Sequence, residues 1–523
     1  RVALLSSLIP SVVSCDADLL NTVPNDRISS KIYWQSPNDA LLAVNSLYSD
    51  LEGTVIFSYD AMTDIAHTND PFDVQANISN GNYDALNTVI YTRWAEAYKG
   101  IAAANYFLEN VDRVAFADPV VPKRYKAEAR TLRAYQYIKL ASLFGDVPLV
   151  ERSLTLAEAR SLTRTPVSDI WDFVDRELEA AATDLPDTYA EAKDRGRITK
   201  WAAHGLKARA ALYAGQWRKA ADAAEHIIAS TRFTLWPNYE TLFKYVAENN
   251  SEVLLDKQFI KDLYKNNAFS LLAAYSQKNA NNSYVPTKAL VDLYQTDAGV
   301  DVSAPGSGYD PNHPYVGRDP RLHFSIYIDG DQLPNGTIFN PAPNSGTIDA
   351  VGTTYRNSTT GFLIKKYINT EDYADISNSG INIILLRYAE VLLIYAEAKI
   401  ELNEIEQSVY DAVNLVRNGR NDVSLADIAV GQDQDAFREI VRRERTVELA
   451  FEGLHLADIR RWRTAETVLP RAIYGVTYED GGVFKVVQVS SANRSFRADR
   501  DYLWPIPQKE RDLNKNLTQN TNW

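Results

Sequence analysis

Cysteine, methionine and histidine are nearly missing from this chain of 523 residues, which has one Cys, one Met and six His. A single cysteine excludes an internal disulfide and any cysteine-based zinc site. His67, His204, His226, His313, His323 and His455 show no HExxH pair or other close ligand spacing. No apolar run reaches about eighteen residues, so no transmembrane helix is expected. Positive charge is in deficit too. The net charge of −13 is the opposite of the basic stripe a phosphate-backbone binder needs, so nucleic acid is not an expected partner. No GxSxG elbow, phosphate loop or dinucleotide fingerprint stands in a strand–turn–helix context.

What the chain does have is a globular composition, with 45% hydrophobic and 24% charged residues. Tyrosine is abundant, 30 residues against 17 Phe. Its flat apolar face and polar tip suit a surface that binds something. The only cysteine, Cys15, closes a short apolar run, Val2 to Val13, that follows Arg1. This resembles the end of a bacterial lipoprotein signal, with the basic region before it truncated. Cys15 is then the lipidation site, and Asp16 and Asp18 resemble a surface-export signal. A lipid anchor of two or three acyl chains would hold an otherwise soluble domain stably at a membrane. Residues 1–14 are therefore read as signal peptide and 15–35 as tether.

From residue 36 onward the punctuation is helical. Ser36-Pro37-Asn38-Asp39 offers an N-cap, Pro at N1 and an acid at N3. Residues 52–90 lack periodicity and read as loops. Helical stripes return over 93–111, 123–144 (ended by Gly145), 166–186 and from Thr199 to Tyr213. Leu212-Tyr213-Ala214-Gly215-Gln216-Trp217 matches a tetratricopeptide hairpin junction, and 389–402 with 408–417 reads as a second copy. Residues 261–380, rich in Asn, Gly, Pro and Tyr, interrupt the array, with β-like runs at Leu322–Ile328 and Phe362–Ile368. An insert of that size is expected to be functional. A helix at 435–452 and a hairpin at Tyr474–Val489 follow.

Four blocks carry a family resemblance. Ile381 to Ala398 (INIILLRYAEVLLIYAEA) and Ile440 to Trp462 (IVRRERTVELAFEGLHLADIRRW) resemble helices of SusD-like (RagB/SusD) nutrient-binding lipoproteins. Arg318-Asp319-Pro320-Arg321-Leu322 looks like the family's mid-chain motif, and Tyr502-Leu503-Trp504-Pro505-Ile506-Pro507 through Trp523 like its C-terminal signature. One departure stands at the end, where Thr521-Asn522-Trp523 replaces the usual Pro-Gly-Trp and leaves the last turn open. The resemblance implies a mainly α, tetratricopeptide-like array of four units within a single domain over 36–523. The framework lies at about 91–235 and 381–452, the ligand-binding loops and partly β insert at about 52–90 and 261–380, and the C-terminal segment is irregular. It further implies a non-catalytic lipoprotein on the outer-membrane surface. As a hinged lid it would deliver oligo- or polysaccharide, or in some members peptide, to a SusC-like TonB-dependent transporter.

Within that frame the residues name a site. Between Lys31 and Arg93 there is no Lys or Arg, while Asp60, Asp64, Asp70, Asp73 and Asp84 accumulate. Such a stretch repels anionic polymers and suits the hydroxyls of a neutral glycan. The candidate ligand-binding residues are Tyr59, Asp60, Asp64, His67, Asn69, Phe72 and Tyr83 from the first loop and Tyr284, Tyr309 and Tyr315 from the insert. Tyr without Trp implies shallow stacking and an affinity of roughly micromolar or weaker. No cofactor is expected. Asp60, Asp64, Asn69, Asp70 and Asp73 could offer oxygens to calcium, but without an EF-hand spacing. A glycoside hydrolase would need an acid and a base. Glu448 and Glu452 share a helix face, yet Arg442, Arg443, Arg445, Arg460 and Arg461 crowd them, so an ion-pair network is expected there.

Overall fold

The computed structural model describes residues 33–70, 72–490 and 493–523. Cys15, the signal run and the tether up to residue 32 lie outside the described residues. Among these, no helix is long and apolar enough to cross a membrane.

The N-terminal part runs α1 (Pro37–Leu47), α2 (Ile56–Asp60), β1 (Ala66–Thr68), α3 (Val74–Ser79), α4 (Thr88–Asn110), α5 (Val120–Phe144), α6 (Leu156–Ala159), α7 (Val167–Asp184), α8 (Lys200–Tyr213) and α9 (Trp217–Ala229). β2 (Val253–Lys257) comes just before the insert, which itself adds α10 (Ala268–Leu272), β3 (Tyr284–Pro286), α11 (Lys288–Leu293), α12 (Pro320–Ser325), β4 (Ile326–Tyr327) and β5 (Leu363–Ile364). The remainder is β6 (Ile383–Arg387), α13 (Tyr388–Glu401), α14 (Gln407–Asn418), α15 (Gln434–Glu448), α16 (His455–Arg461), α17 (Ala465–Val468), β7 (Tyr474–Asp480), β8 (Val483–Gln488) and α18 (Gln508–Leu513).

The helix ends follow local chemistry. Ser36 Oγ accepts from the Asp39 amide, while the Asp39 carboxylate accepts from the Ser36 amide at 2.8 Å, a closed capping box with Pro37 at N1. Thr199 caps α8. Gly145 ends α5 at φ +71°, and a Cβ there would lie 2.9 Å from Leu503. The packing runs α4–α5–α7–α8–α9 and then to α13, which also touches α14 and α15. These are helical hairpins, and their pairing does not by itself define four tetratricopeptide units. At the α8–α9 junction Gly215 supplies a left-handed turn at φ +68°. The close approach falls instead at Gly205, whose Cβ would meet Leu386 at 2.5 Å.

Among the described residues, four small antiparallel pairs decorate this framework: β1 with β3, β2 with β6, β4 with β5 and β7 with β8. The β1–β3 register, Ala66 to Pro286 and Thr68 to Tyr284, ties the first loop region to the insert. Residues 52–90 hold α2, β1 and α3, although neither the short helices nor the three-residue strand has enough length to show a period. The β-like run at 322–328 is mostly the helix α12. Asp319 caps it and Pro320 sits at N1, and this local signal outweighs the apolar pattern.

The C-terminal departure resolves cleanly. Asn522 adopts φ +65°, the left-handed conformation that Gly takes most readily and Asn tolerates, and donates to the Asp499 carbonyl at 2.7 Å. Trp523 then donates to the Leu503 carbonyl at 3.0 Å and packs on Tyr83 at 4.9 Å between centroids.

Candidate functional site

The two loop regions meet at a cleft of about 900 Å³ lined by Asp64, α11, Tyr309, the 468–474 segment and Arg494. Asp64 follows α2. His455, at the start of α16, faces it with Nε2 2.9 Å from Oδ1. Burial raises the Asp64 pKa, but the His455 charge and hydrogen bond more than offset this and hold it below the usual value. Burial likewise disfavours the His455 cation, and Asp64 outweighs it, so His455 is raised. On α11, Lys288 and Asp292 pair at 2.6 Å, an i,i+4 contact along one helix face. Arg494 donates to the carbonyls of Thr63 and Ala66, and burial brings its pKa down to about 10.

Two aromatic rings border the cleft. Tyr309 is half-buried, with the Arg318 guanidinium 5.3 Å from its centroid. Arg318 is held by the carbonyls of Val291 and Tyr294, at 2.6 Å each, so it acts as a fixed backing plate. Tyr474, the first residue of β7, is 44% exposed. The arrangement offers ring faces, an exposed Arg471 and ion-paired carboxylates. Those are groups that can hold a polyhydroxylated ligand by stacking and paired hydrogen bonds.

Of the ten candidate residues, Asp64 and Tyr309 line this cleft. Five others are buried supports. Tyr59 donates to Glu52 at 2.5 Å, and Asp60 accepts from the amides of Gly453 and His455, its pKa raised by burial to about 6. His67, inside β1, is lowered by burial to about 3. Tyr284 is buried in β3. Asn69 donates to the Asn357 carbonyl at 2.9 Å and accepts from the Thr359 amide at 2.8 Å. Tyr83 packs under Trp523 with Arg500 across its ring. Tyr315 is half-buried against Phe362. Phe72 is 84% exposed but does not line the cleft. Tyr59, Asp60, His67, Asn69, Tyr83 and Tyr284 therefore build the loops, a correction that follows from their burial and protein partners.

The acid-rich loop does not gather around one point. Asp60 turns inward to α16, Asp73 caps α3 and Asp70 accepts from the Phe72 amide. Among the described residues no group of three or more His, Cys, Asp or Glu side chains could hold a metal ion. Sequence reasoning missed Lys288, Asp292, Arg471, Tyr474 and Arg494 as cleft residues. The one usable signal was Tyr474, a tyrosine opening a hairpin in an otherwise helical chain. Tyr355, another tyrosine of the insert, is 56% exposed with Arg356 across its ring, on a loop that Asn69 and Asn282 pin through the Arg356 and Asn357 carbonyls.

Glu448 and Glu452 do form an ion-pair network, with partners other than those expected. Arg321, Arg387 and Arg420 surround Glu448, and Arg387 and Lys366 hold Glu452. Arg445 instead pairs with Asp458, Arg461 with Glu397 and Asp458, Arg443 with Asp301, and Arg442 faces Glu401 and Glu439, while Arg460 lies against Trp504. Burial disfavours the Glu448 anion, yet the three guanidiniums hold its pKa well below the usual range. That is unlike a general acid.

The architecture is thus a helical framework with a loop-rich insert, and a cleft where the two loop regions meet. A profile described as the SusD family matches residues 244–523, more than half of the chain, and one described as starch-binding associating with outer membrane matches 37–212. The chain belongs to the SusD family. It is 26% identical over 488 residues to SusD-like protein P25 of Formosa agariphila, covering 87% of this chain and 88% of that one. A SusD-like carbohydrate-binding protein from Bacteroides fragilis superposes with a TM-score of 0.86 at 31% identity, over 93% of this chain and 99% of that one. Surface glycan-binding protein A from Bacteroides thetaiotaomicron, solved with laminarihexaose, shares the fold at a TM-score of 0.70 and 20% identity, over 93% of this chain and 100% of that one.

Proposed function

We propose that this protein captures a neutral glycan without cleaving it and passes it, as a hinged lid, to a SusC-like TonB-dependent transporter in the outer membrane. The observation that carries this reading is the cleft in which Asp64 of the first loop and Tyr309 of the insert meet beside Tyr474. Membership of the SusD family and the laminarihexaose bound to one relative support a glycan ligand. A lipid on Cys15 would anchor the protein at the cell surface, in keeping with the match to a family described as associating with the outer membrane.

The reason for a neutral ligand differs from the sequence argument. Arg494 and Arg93 reach the first loop from elsewhere in the chain, so the loop is not free of cations. Three of the cleft's charged side chains are instead already engaged, Lys288 by Asp292, Asp64 by His455 and Arg494 by backbone carbonyls, while the exposed Arg471 donates to the Thr467 carbonyl at 3.2 Å. An acidic polymer would have to displace those partners, whereas sugar hydroxyls add to them. Carboxylates held in ion pairs are poor general acids, which argues against hydrolysis at this cleft.

Calorimetry with neutral glucans, fructans and mannans tests the reading, with a Kd expected at roughly micromolar or weaker. Release of new reducing ends on incubation would overturn the lid reading in favour of a hydrolase. Binding of peptides and no saccharide would place the protein with peptide-delivering lids. Repeated isolation from native membranes without a barrel partner would remove the transporter role. Binding that survives EDTA unchanged is expected, since no calcium is invoked.

A further inference from the structure

A second cleft, of about 410 Å³, lies between the end of α1, the 193–197 loop and the 256–264 segment, and shares no lining residue with the first. Its volume falls within the roughly 300–1,000 Å³ common for small-molecule sites. One wall is Tyr264, 45% exposed and stacked on Phe259 with centroids 5.3 Å apart and ring planes 11° from parallel. The stack is held rigidly. Ile260 and Tyr264 exchange backbone hydrogen bonds at 2.9 and 3.0 Å, Asn378 accepts from the Asp262 amide at 2.9 Å, and Asn382 accepts from the Phe259 amide at 2.8 Å. The floor is Gly196, at φ +85°, where a Cβ would lie 2.6 Å from the Gln258 side chain.

The charge around this wall is one-sided. Lys193, Arg195, Arg197 and Lys257 line the cleft against a single carboxylate, Asp256. Asp256 is buried and accepts from Gln258 Nε2 at 2.6 Å. Arg197 is occupied by Glu128 and Asp194, at 2.6 and 2.9 Å. Lys257 donates to the carbonyls of Ser49 and Leu51. Among the described residues, no carboxylate lies within ion-pair distance of Lys193, Arg195 or Lys257, although the chain as a whole carries a net charge of −13. A preorganised aromatic face beside unpaired cations recognises a ring with an apolar face and a negative substituent.

We infer that this cleft is a second saccharide subsite, selective for a sugar bearing a carboxylate or sulfate, with Tyr264 as the stacking platform and Lys193 and Arg195 as the anion contacts. The inference does not rest on the Tyr309 cleft, and either site can fail without the other. Trigalacturonic acid, a sulfated galacto-oligosaccharide and laminarihexaose are titrated into the full chain by calorimetry. At least one anionic probe should bind, and which one binds distinguishes carboxylate from sulfate. Its affinity should fall as salt rises from about 50 to about 500 mM. The double variant Lys193→Gln, Arg195→Gln and the single variant Tyr264→Ala should each weaken that binding about tenfold or more. All three side chains are exposed, so far-UV circular dichroism should be unchanged. The double variant should leave neutral-glycan binding at the Tyr309 cleft as it was. Binding of neither anionic probe, or anionic binding unchanged in both variants, overturns the inference.

Discussion

Arg387, the last residue of β6, meets Glu448, the last residue of α15, through two contacts: Nη1 to the carboxylate at 2.7 Å and Nη2 to the backbone carbonyl at 2.8 Å. The pair links the strand that leaves the insert to α15, the third helix after it. Arg321, from the mid-chain Asp-Pro-Arg motif, and Arg420 complete the shell around the same carboxylate, both side chains buried. The motif is thereby explained physically: Asp319 caps α12, Pro320 starts it, and Arg321 projects to α15.

Replacing Glu448 by Ala should destabilise the fold by about 3–5 kcal/mol, because three guanidiniums then remain buried beside a missing anion. Denaturant unfolding measures it. The same group sets a pH dependence. Its folded pKa is lowered, so its contribution is present above the unfolded value and is lost as pH falls below the carboxylate range. A Glu448→Ala loss no larger than that of an exposed surface substitution would contradict the network's role.

His67 acts on a different window. Burial, with a smaller push from Arg494, lowers its pKa from 6.5 to about 3. The folded state therefore holds fewer protons than the unfolded chain between those values. Stability is full above pH 6.5 and declines as pH falls towards 3, by up to about 1.4 kcal/mol per pH unit from this group. His67→Phe should flatten that slope between pH 6 and 4 in unfolding titrations. An unchanged slope would show that the imidazole does not stay neutral.

Tyr309→Ala and Tyr474→Ala should each weaken neutral-glycan binding by roughly 0.5–1.5 kcal/mol, the scale of one aromatic contact. Asp64→Asn should act through His455 as well, since it removes the hydrogen-bonded carboxylate that raises that imidazole's pKa. Calorimetry on the three variants checks this, and Tyr83→Ala, whose ring lies under Trp523, should affect stability more than binding.

Gly475→Ala tests how the hairpin positions Tyr474. A Cβ at residue 475 would lie 1.9 Å from the Thr360 carbonyl oxygen, which also accepts from the Val476 amide at 2.7 Å. The clash pushes β7 away from the insert, at a cost of about 1–3 kcal/mol. Glycan affinity should fall along with the melting temperature, whereas Gly481→Ala, at the open hairpin tip with φ +61°, should lower stability and leave the cleft side intact.

The sequence by itself determined the features that depend on neighbours a few residues apart. Ser36-Pro37-Asp39, Thr199 and Gly145 mark helix ends because a cap needs only its own first or last turn. The hairpin at 474–489 was legible in the sequence, and family membership was legible from blocks spread over the mature chain. Local chemistry could not say which way a loop residue faces. Tyr59 and Asp60 are adjacent, and both are buried, because α2 is enclosed on more than one side and shows no polar stripe. Asp64 meets His455 across 391 residues of chain, and Arg494 reaches back to the Thr63 and Ala66 carbonyls across more than 420. Those meetings set the charge and the outline of the cleft. Only the tertiary structure decided them, because burial and ion pairing are settled by what packs from elsewhere in the chain and leave no period or spacing in the loop itself.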